Sequence, residues 1–353
     1  MKNLKNRFIL IAILTNCLIG TLATAQQLPE FSQYINNDYL LNPAIAGTKD
    51  YAPVTVSARM QWVGFNNAPN TQIASIHGAL TKNVGLGFSV INATAGPTAS
   101  TSMQLAYSYR IKINEKTKLS FGVAPMLIQQ SLQKDKMTLD EQNDNTFNRI
   151  SGKTMIADVN AGVYLYGSKY FISLSVPQLM ENKVRLGDAL FTERLKRTYV
   201  LYGGYDFKVK EKFVLTPSAL IKAIEGGAPI QFDVNFKATY NKFIWLGLSY
   251  RGSASSNFNE TAVASLGVMK YNFVFGYSFD YSLANISTYS SGSHEVFLTY
   301  RISCKKKESL AKETSPAPAA APVDTPVIPT PKETITAPTE TPTTTPATKE
   351  EPK

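Results

Sequence analysis

The stretch YNFVFGYSFDY, Tyr271–Tyr281, carries an aromatic residue at every second position. Successive side chains of a β-strand point to opposite faces, so one face of this strand is entirely aromatic while the other is mostly small or polar. A strand of this length spans roughly 33 Å and, tilted by about 40°, covers close to the ~25 Å apolar band of an outer-membrane barrel. Its terminal tyrosines then lie at the membrane interfaces, where amphipathic rings are favoured. The pattern predicts a membrane-spanning strand.

The same alternation recurs in other parts of the chain. Apolar residues alternate with polar residues near 54–62, 102–112 and 295–302. Because soluble β-sandwiches also alternate, the connections discriminate better than any single strand. The pattern predicts fourteen strands, near residues 51–63, 70–80, 84–93, 101–112, 117–130, 155–166, 169–176, 197–207, 211–222, 229–239, 242–251, 260–269, 271–281 and 293–303.

The predicted connections alternate between short and long. Even-numbered connections are short, such as 81–83 and 240–241, whereas odd-numbered ones are longer, notably 131–154 and 177–196. A membrane barrel has tight periplasmic turns and long outer loops, and an even strand number returns both termini to the periplasm. The sequence therefore predicts an all-β fold: a transmembrane outer-membrane β-barrel of about fourteen antiparallel strands over residues 51–303, with both termini periplasmic.

The two ends of the chain differ in composition from this barrel. Residues 1–25 have the pattern of a secretory signal peptide, with a basic start, a short apolar region and a cleavage site between Ala25 and Gln26. Residues 304–353 are rich in Pro and Thr and contain no aromatic residue. Such a segment cannot bury enough apolar surface to fold, which predicts a disordered periplasmic tail. The tail is either passive or a spacer toward periplasmic partners.

Charge and cysteine content limit the classes of function that this chain can have. The net charge of +10 includes three positive charges in the signal peptide, and the remainder is spread without a dense basic stripe. Together with secretion, this argues against nucleic acid as a partner. Cleavage after Ala25 leaves Cys304 as the single cysteine, so the mature chain has neither a disulfide framework nor a cysteine metal cluster. We expect no metal and no cofactor.

Two histidines are the first candidates for catalysis. His77 lies within a predicted strand, and His294 lies where a loop enters the last strand, beside Glu295. Neighbours in a strand face opposite ways, so Glu295 cannot simply orient His294. The sequence contains no nucleophile elbow, HExxH zinc motif or phosphate-binding loop. We therefore expect no catalytic residues and no enzymatic activity.

The predicted lumen face carries charges of both signs. They are Arg59, Arg110, Lys112, Arg251 and Arg301 against Asp158, Asp233 and Asp280. A selective pore favours one sign, whereas mixed charges form a hydrogen-bonded ladder that fills the interior. A barrel of fourteen strands falls between filled small barrels and open channels, so it needs a plug.

The segment 26–50, here called the lead segment, is available to fill the lumen. Its amides suit polar lumen groups and its tyrosines suit lumen volume; they are Gln33, Asn36, Asn37, Asn42, Tyr34 and Tyr39. Alternatively, the segment forms an ordered periplasmic cap on the barrel floor. The sequence leaves plug and cap open.

Several short motifs carry a family resemblance. They are FSQY followed by NPAIAG, then QWVG and APNT, and finally GSHE. Their residues include Phe31, Ser32, Gln33, Tyr34, Asn42, Pro43, Ala44, Ala46, Gly47, Gln61, Trp62, Gly64, Ala68, Pro69, Thr71, Gly292, His294 and Glu295. Together they resemble the PorP/SprF family of Bacteroidota outer-membrane proteins, which is associated with the type IX secretion system and gliding motility. The resemblance covers about residues 26–303.

This resemblance implies a non-enzymatic component that supports export, docking or anchoring of surface adhesin cargo. The implied partners are outer-membrane lipid, other type IX secretion subunits, and secreted or surface cargo that carries a C-terminal targeting domain. The motif residues are then structural or partner contacts.

The loop 131–154 is the best cargo-contact candidate by length and charge, through Lys134, Asp135, Lys136, Asp140, Glu141, Asp144 and Arg149. Two alternative functions stay open. One is a diffusion channel for small solutes, and the other is a barrel enzyme that depends on His77 or His294.

Overall fold

A computed structural model describes residues 29–137, 152–185, 192–226, 228–254 and 260–303. Regular structure in these residues consists of β-strands and short 3₁₀ helices. No helix in this part of the chain is long and apolar enough to cross a membrane. The predicted signal peptide, its cleavage site at Ala25 and Gln26, and the predicted tail lie outside the described residues.

Fifteen strand segments form one sheet, and two short ones form a separate hairpin. The sheet begins with β1 (Tyr51–Met60), β2 (Asn70–Ala79), β3 (Val84–Ala95), β4 (Thr98–Lys112), β5 (Thr117–Leu132), β6 (Lys153–Gly167) and β7 (Tyr170–Val176). The hairpin consists of β8 (Lys183–Arg185) and β9 (Thr192–Arg194). The sheet continues with β10 (Thr198–Tyr205), β11 (Phe207–Lys210), β12 (Phe213–Ile224), β13 (Gln231–Tyr240), β14 (Ile244–Ser253), β15 (Thr261–Lys270), β16 (Phe273–Ser282) and β17 (Ser293–Ser303).

The sheet closes into a barrel. β1 pairs with β17 in a register that places Tyr51 opposite Ser303, and β10 pairs with both β7 and β12. β11 continues the line of β10 after a break at Asp206 and also pairs with β12, so β10 and β11 form one barrel strand. The result is a closed barrel of fourteen antiparallel strands, which confirms the predicted fold.

The outer face of the barrel is apolar, as a membrane barrel requires, and the interior holds buried polar side chains together with apolar clusters. On β16, Phe273 and Phe275 are exposed, whereas Ser278 and Asp280 are buried. Leu248, a residue of β14, is 67% exposed. Such side chains are favourable against lipid tails, because contact with lipid removes their apolar surface from water. The predicted division between an aromatic outer face and a polar inner face is confirmed for this strand.

The two ends of the barrel differ in their connections. At the short-turn end, consecutive strands are joined by two to four residues, as at 168–169 and 80–83. At the long-loop end, the connections are longer, and the one between β5 and β6 is the segment 133–152. One connection at the long-loop end departs from the predicted alternation, because β3 and β4 meet in a tight turn at Gly96 and Pro97. Gly96 adopts a φ of 57°, a left-handed conformation that lets both strands continue up to the turn.

Some boundaries and orientations differ from the prediction. β1 ends at Met60 because Trp62 adopts a φ of 48°, which does not fit an extended strand. For the same reason β16 begins after Tyr271, which adopts a φ of 53°. Lys112 lies two positions after the buried Arg110, on the same side of β4, but its side chain is outside the buried interior. Lys112 ends β4 at the short-turn end, where its exposed side chain pairs with Glu115 at 2.6 Å.

The β8–β9 hairpin folds inward at the long-loop end. It shares a buried apolar cluster with inward-facing residues of β5 and β6; the members are Val184, Leu195, Met126, Ile128 and Ile156. The hairpin therefore covers part of the barrel mouth. The sequence treats this region as a plain loop, because strands of three residues are too short to show a periodic signal.

Candidate functional site

The lead segment crosses the barrel interior as three consecutive 3₁₀ turns, Gln33–Ile35, Asp38–Leu40 and Pro43–Ile45. Asn42 caps the third turn, since its side-chain oxygen accepts a hydrogen bond from the Ala44 N–H at 2.8 Å. Pro43 follows the cap, at a position where its missing N–H costs nothing. The chain then passes Gly47, whose φ of 66° turns it toward β1.

At the long-loop end, Ser32 lies among buried charges. Its hydroxyl donates to Asp280 at 2.6 Å, and its backbone N–H donates to Glu295 at 2.7 Å. The Gln33 N–H also donates to Glu295, at 3.4 Å. Arg59 bridges the two carboxylates, with Nη2 2.7 Å from Asp280 and Nη1 3.3 Å from Glu295. These charge-assisted bonds form away from water, where they are strong.

A second arginine extends this group. Arg251 Nε donates to both carboxylate oxygens of Asp233, at 3.2 and 3.1 Å, and Arg251 Nη1 lies 3.5 Å from Glu30. The Tyr34 hydroxyl donates to Asp233 at 2.9 Å and accepts a hydrogen bond from Asn235 Nδ2, also at 2.9 Å. We call the charged residues the ionic cluster; its members are Glu30, Arg59, Asp233, Arg251, Asp280 and Glu295.

Glu30 is ionised in this environment. Burial raises the pKa of its carboxyl group, but the positive charges of Arg251, Lys222 and Arg59 outweigh burial and hold the pKa below the usual 4.5. With Lys222 included, three cations face the four carboxylates of the ionic cluster. Charge is therefore nearly balanced within the group, and the lead segment contributes one of its members.

Glycines on the barrel wall make room for the middle of the lead segment. Gly122, on β5, packs against the backbone of Pro43 and Ala44, so that a Cβ at this position would overlap main-chain atoms. Gly87, on β3, faces Tyr39, and a Cβ there would lie 2.7 Å from the aromatic ring. Because protein interiors are close-packed, these positions accept only glycine without displacement of the lead segment.

Asn42 fastens the middle of the lead segment to β6 and β7. Its Nδ2 donates to the Val163 carbonyl and the Ser173 hydroxyl, both at 2.9 Å, and lies 3.1 Å from the Leu174 carbonyl. Asn42 is fully buried. Its amide therefore satisfies polar groups of the wall. Asn36 behaves differently, because its amide donates within the lead segment to Gln33 at 2.8 Å.

Arg110 holds the other end of the lead segment near the short-turn end. Its guanidinium donates to the carbonyl oxygen of Gly47. The Gly47 N–H donates to His77 Nδ1 at 3.2 Å. The Ala46 carbonyl accepts from the Ser108 hydroxyl at 2.7 Å. The lead segment is thus anchored at both ends and in the middle.

Two of the motif loops meet at the long-loop end. The Val63 N–H, within QWVG, donates to the Gly292 carbonyl at 2.9 Å. The Trp62 N–H donates to the Ser293 hydroxyl at 3.1 Å. Since Glu295 of the last motif also binds Ser32 of the first, three separate motifs converge on one end of the barrel.

The remaining motif residues support local structure. The Gln61 N–H donates to the Pro69 carbonyl at 2.9 Å, which closes the loop between β1 and β2. Gly64 adopts a φ of 113°, which favours glycine. The rings of Phe31 and Tyr34 pack edge to face, with their centroids 6.4 Å apart.

His294 and Glu295 face opposite sides of β17. His294 Nδ1 lies 2.7 Å from the Tyr277 hydroxyl, whereas Glu295 is 1% exposed and belongs to the ionic cluster. His77 is 2% exposed and contacts the lead segment. Among the described residues, neither histidine forms an ion pair with a carboxylate. These contacts do not assemble a general base with an orienting acid.

Sequence reasoning placed most of the charged wall residues in the lumen but missed their partners. No pattern in the sequence indicated that Glu30 pairs with Arg251 or that Ser32 binds Asp280. The space for the lead segment was missed as well, because Gly87 and Gly122 look like ordinary small residues in alternating strands. A signal exists only in retrospect: each glycine lies on the inward face of its strand.

Comparison with known proteins adds a family. A family model described as type IX secretion system membrane protein PorP/SprF matches residues 23–300. No curated protein matches the chain. Matching solved structures include the toluene transporter TbuX of Ralstonia pickettii, with 11% identity, coverage of 75% of this chain and 92% of that chain, and a TM-score of 0.46.

Two other solved structures are similar at the same level. A FadL homologue of Pseudomonas aeruginosa has 11% identity, covers 73% of this chain and 92% of its own, and has a TM-score of 0.45. A KdgM porin has 11% identity, covers 70% of this chain and 98% of its own, and has a TM-score of 0.35. Likeness at this level says nothing about function.

Proposed function

Because the chain belongs to the PorP/SprF family of type IX secretion system membrane proteins, we propose that it supports export, docking or anchoring of surface cargo by recognition, without catalysis. Family and barrel fold together place the protein in the outer membrane. Its proposed partners are outer-membrane lipid, other secretion subunits, and adhesin-type cargo with a C-terminal targeting domain. Gliding adhesins in a Bacteroidota host are the cargo class that fits this proposal.

The observation that carries the proposal is the position of the lead segment. Residues 29–50 hydrogen-bond to wall groups on opposite sides of the barrel, for instance to Asp280 through Ser32 and to Ser173 through Asn42. We propose that the lead segment is a plug and not a floor cap. A filled lumen favours a role in binding over a role in diffusion, because a channel needs a continuous aqueous path.

We further propose that the short-turn end faces the periplasm, as in other outer-membrane barrels. The long-loop end then faces outward, with the converging motifs, the inward-folded hairpin and the Ser32 end of the lead segment. In this orientation β17 ends on the periplasmic side, whereas the described part of the lead segment starts near the outer end and does not support the predicted periplasmic N-terminus. Cargo recognition is proposed for this end. In the candidate loop 131–154, Lys134, Asp135 and Lys136 are described and form a 3₁₀ turn. The other charged residues of that loop, Asp140, Glu141, Asp144 and Arg149, lie outside the described residues.

A deletion strain tests the proposal. We expect loss of one or a few large proteins from the surface fraction, with unchanged uptake of small solutes, and restoration by the wild-type gene. An unaltered secreted proteome combined with slower solute uptake would contradict the proposal and favour the diffusion channel. The purified protein in planar bilayers gives an independent check, since the plugged barrel is expected to conduct no steady current.

A further inference from the structure

A cavity lies at the long-loop end between the lead segment and the region of the inward hairpin. Its volume is about 110 Å³, and the unfilled space around it, including adjoining solvent, is about 1000 Å³. Apolar side chains from both the lead segment and the wall line it, including Phe31, Leu41, Ile128, Leu195 and Val200. Polar side chains complete the lining; they are Ser100, Ser102, Gln104, Gln130, Asn160, Gln178 and Lys222.

Gln178 contributes an unmatched polar group to this cavity. Its side chain lines the cavity and is 2% exposed, and its Oε1 has no hydrogen-bond partner among the described residues. An unpaired buried polar atom costs free energy that a partner would recover. The position is held firmly, because the Gln178 N–H donates to Asn160 Oδ1 at 3.1 Å and Asn160 Nδ2 donates to Gln104 at 2.8 Å.

The backbone at Gln178 is also unusual. Its φ is 58°, a left-handed conformation that is unfavourable for a residue with a Cβ. Glu181, in the same connection, adopts a φ of 49°. Conformations of this kind persist where the surroundings enforce them, and they concentrate at binding sites. The fold thus holds an unpaired carboxamide oxygen in a cavity that is lined for its larger part by apolar side chains.

We propose that this cavity binds a small, uncharged, apolar molecule that carries one hydroxyl group. A hydroxyl both donates and accepts, so it can pair with the carboxamide of Gln178 in either orientation of the amide. An anion is disfavoured, because Lys222, the cation that lines the cavity, faces the carboxylates of the ionic cluster, which outnumber the cations. The proposal is independent of the secretion role and adds a ligand to the outer end of the plug.

Phenol is the probe, and benzene is the matched compound without the hydroxyl. The full-length protein in detergent micelles is titrated with each, and binding is followed by calorimetry and by saturation-transfer NMR. We expect phenol to bind more tightly than benzene. Gln178→Met keeps the length of the side chain and removes the carboxamide. We expect this variant to bind phenol about tenfold more weakly, as for the loss of one buried hydrogen bond. Its affinity for benzene should be nearly unchanged.

Two further variants keep the test decisive. Gln129→Met makes the same change on the exposed face of β5, away from the cavity, and should bind phenol like the wild type. Ser102→Leu adds bulk at a cavity-lining position and should abolish binding of both compounds. Equal affinity for phenol and benzene, absence of phenol binding, or phenol affinity unchanged in either Gln178→Met or Ser102→Leu would overturn the proposal. None of these results bears on the secretion experiment.

Discussion

A single methyl group on β5 tests whether the lead segment is seated as the structure shows. In Gly122→Ala, the new Cβ would overlap backbone atoms of Pro43 and Ala44, closer than the 3.0 Å that real Cβ atoms respect. Main-chain atoms cannot rotate away as the end of a flexible side chain can. The lead segment must therefore move from the wall at this point.

The size of the effect follows from the neighbouring contacts. Restoring van der Waals distance requires a shift on the order of 1 Å in a close-packed interior. A shift of this size stretches the Asn42 hydrogen bonds, now at 2.9 to 3.1 Å, beyond useful length. Gly122 stays in β5 whether or not the lead segment is docked, so the cost is that of overpacking, about 1–3 kcal/mol. We expect docking of the lead segment to weaken by this amount, or roughly 5- to 150-fold in the undocked population.

Trypsin provides the assay, because Lys49 is the single lysine or arginine within residues 29–50. In the wild type, Lys49 pairs with Asp38 at 2.8 Å. Cleavage after Lys49, followed by mass spectrometry on the purified protein, reports how often the lead segment undocks. Gly152→Ala is the matched control, because a Cβ there would meet only the Leu132 carbonyl, at 3.9 Å.

The expected result is faster cleavage in Gly122→Ala than in the wild type and in Gly152→Ala, while the barrel keeps its heat-modifiable mobility in gel electrophoresis. Identical cleavage rates and unfolding midpoints in all three proteins would refute the reasoning, because the lead segment could not then lie against β5. Failure of Gly122→Ala alone to form a barrel would show instead that assembly depends on a seated lead segment.

Three other predictions concern the charged and histidine residues. Arg59→Met removes the ion pair of buried Glu295 and leaves buried Asp280 with Arg251, 3.9 Å away. It should destabilise the protein by about 3–5 kcal/mol in urea unfolding, with partial recovery in Arg59→Lys; a change below about 1 kcal/mol would contradict the buried geometry. Because the pKa of Glu30 is held below 4.5, the ionised carboxylate stabilises the folded protein above that pH, and this stabilisation is lost as pH falls through the lowered pKa. The urea midpoint of the wild type should therefore fall as pH drops below 4.5, and it should fall less in Glu30→Gln; an equal fall in both proteins would exclude Glu30 as the cause. His294→Phe removes one hydrogen bond, to Tyr277, and should lower the free energy of unfolding by about 1 kcal/mol without altering the surface proteome. Loss of an enzymatic activity of the protein itself in this variant would instead support the barrel enzyme.

The strand pattern was predictable because it is local. Alternation with a period of two follows from strand geometry, so residues such as Phe273 and Asp280 could be assigned to opposite faces from their positions alone. The number of strands and the division into short and long connections follow from the same signal. The motifs around Ser32, Trp62 and Glu295 identified the family, but they did not reveal that the three segments meet.

Only the tertiary structure decided what fills the barrel. The bonds from Ser32 to Asp280 and Glu295 join residues separated by 248 and 263 positions. Such contacts depend on barrel closure and on strand register, which no local pattern encodes. The same holds for the inward hairpin and for the cavity at Gln178. Local periodicity fixed which face each side chain uses, whereas the pairing of distant charges and the seating of the lead segment against Gly122 required the closed barrel.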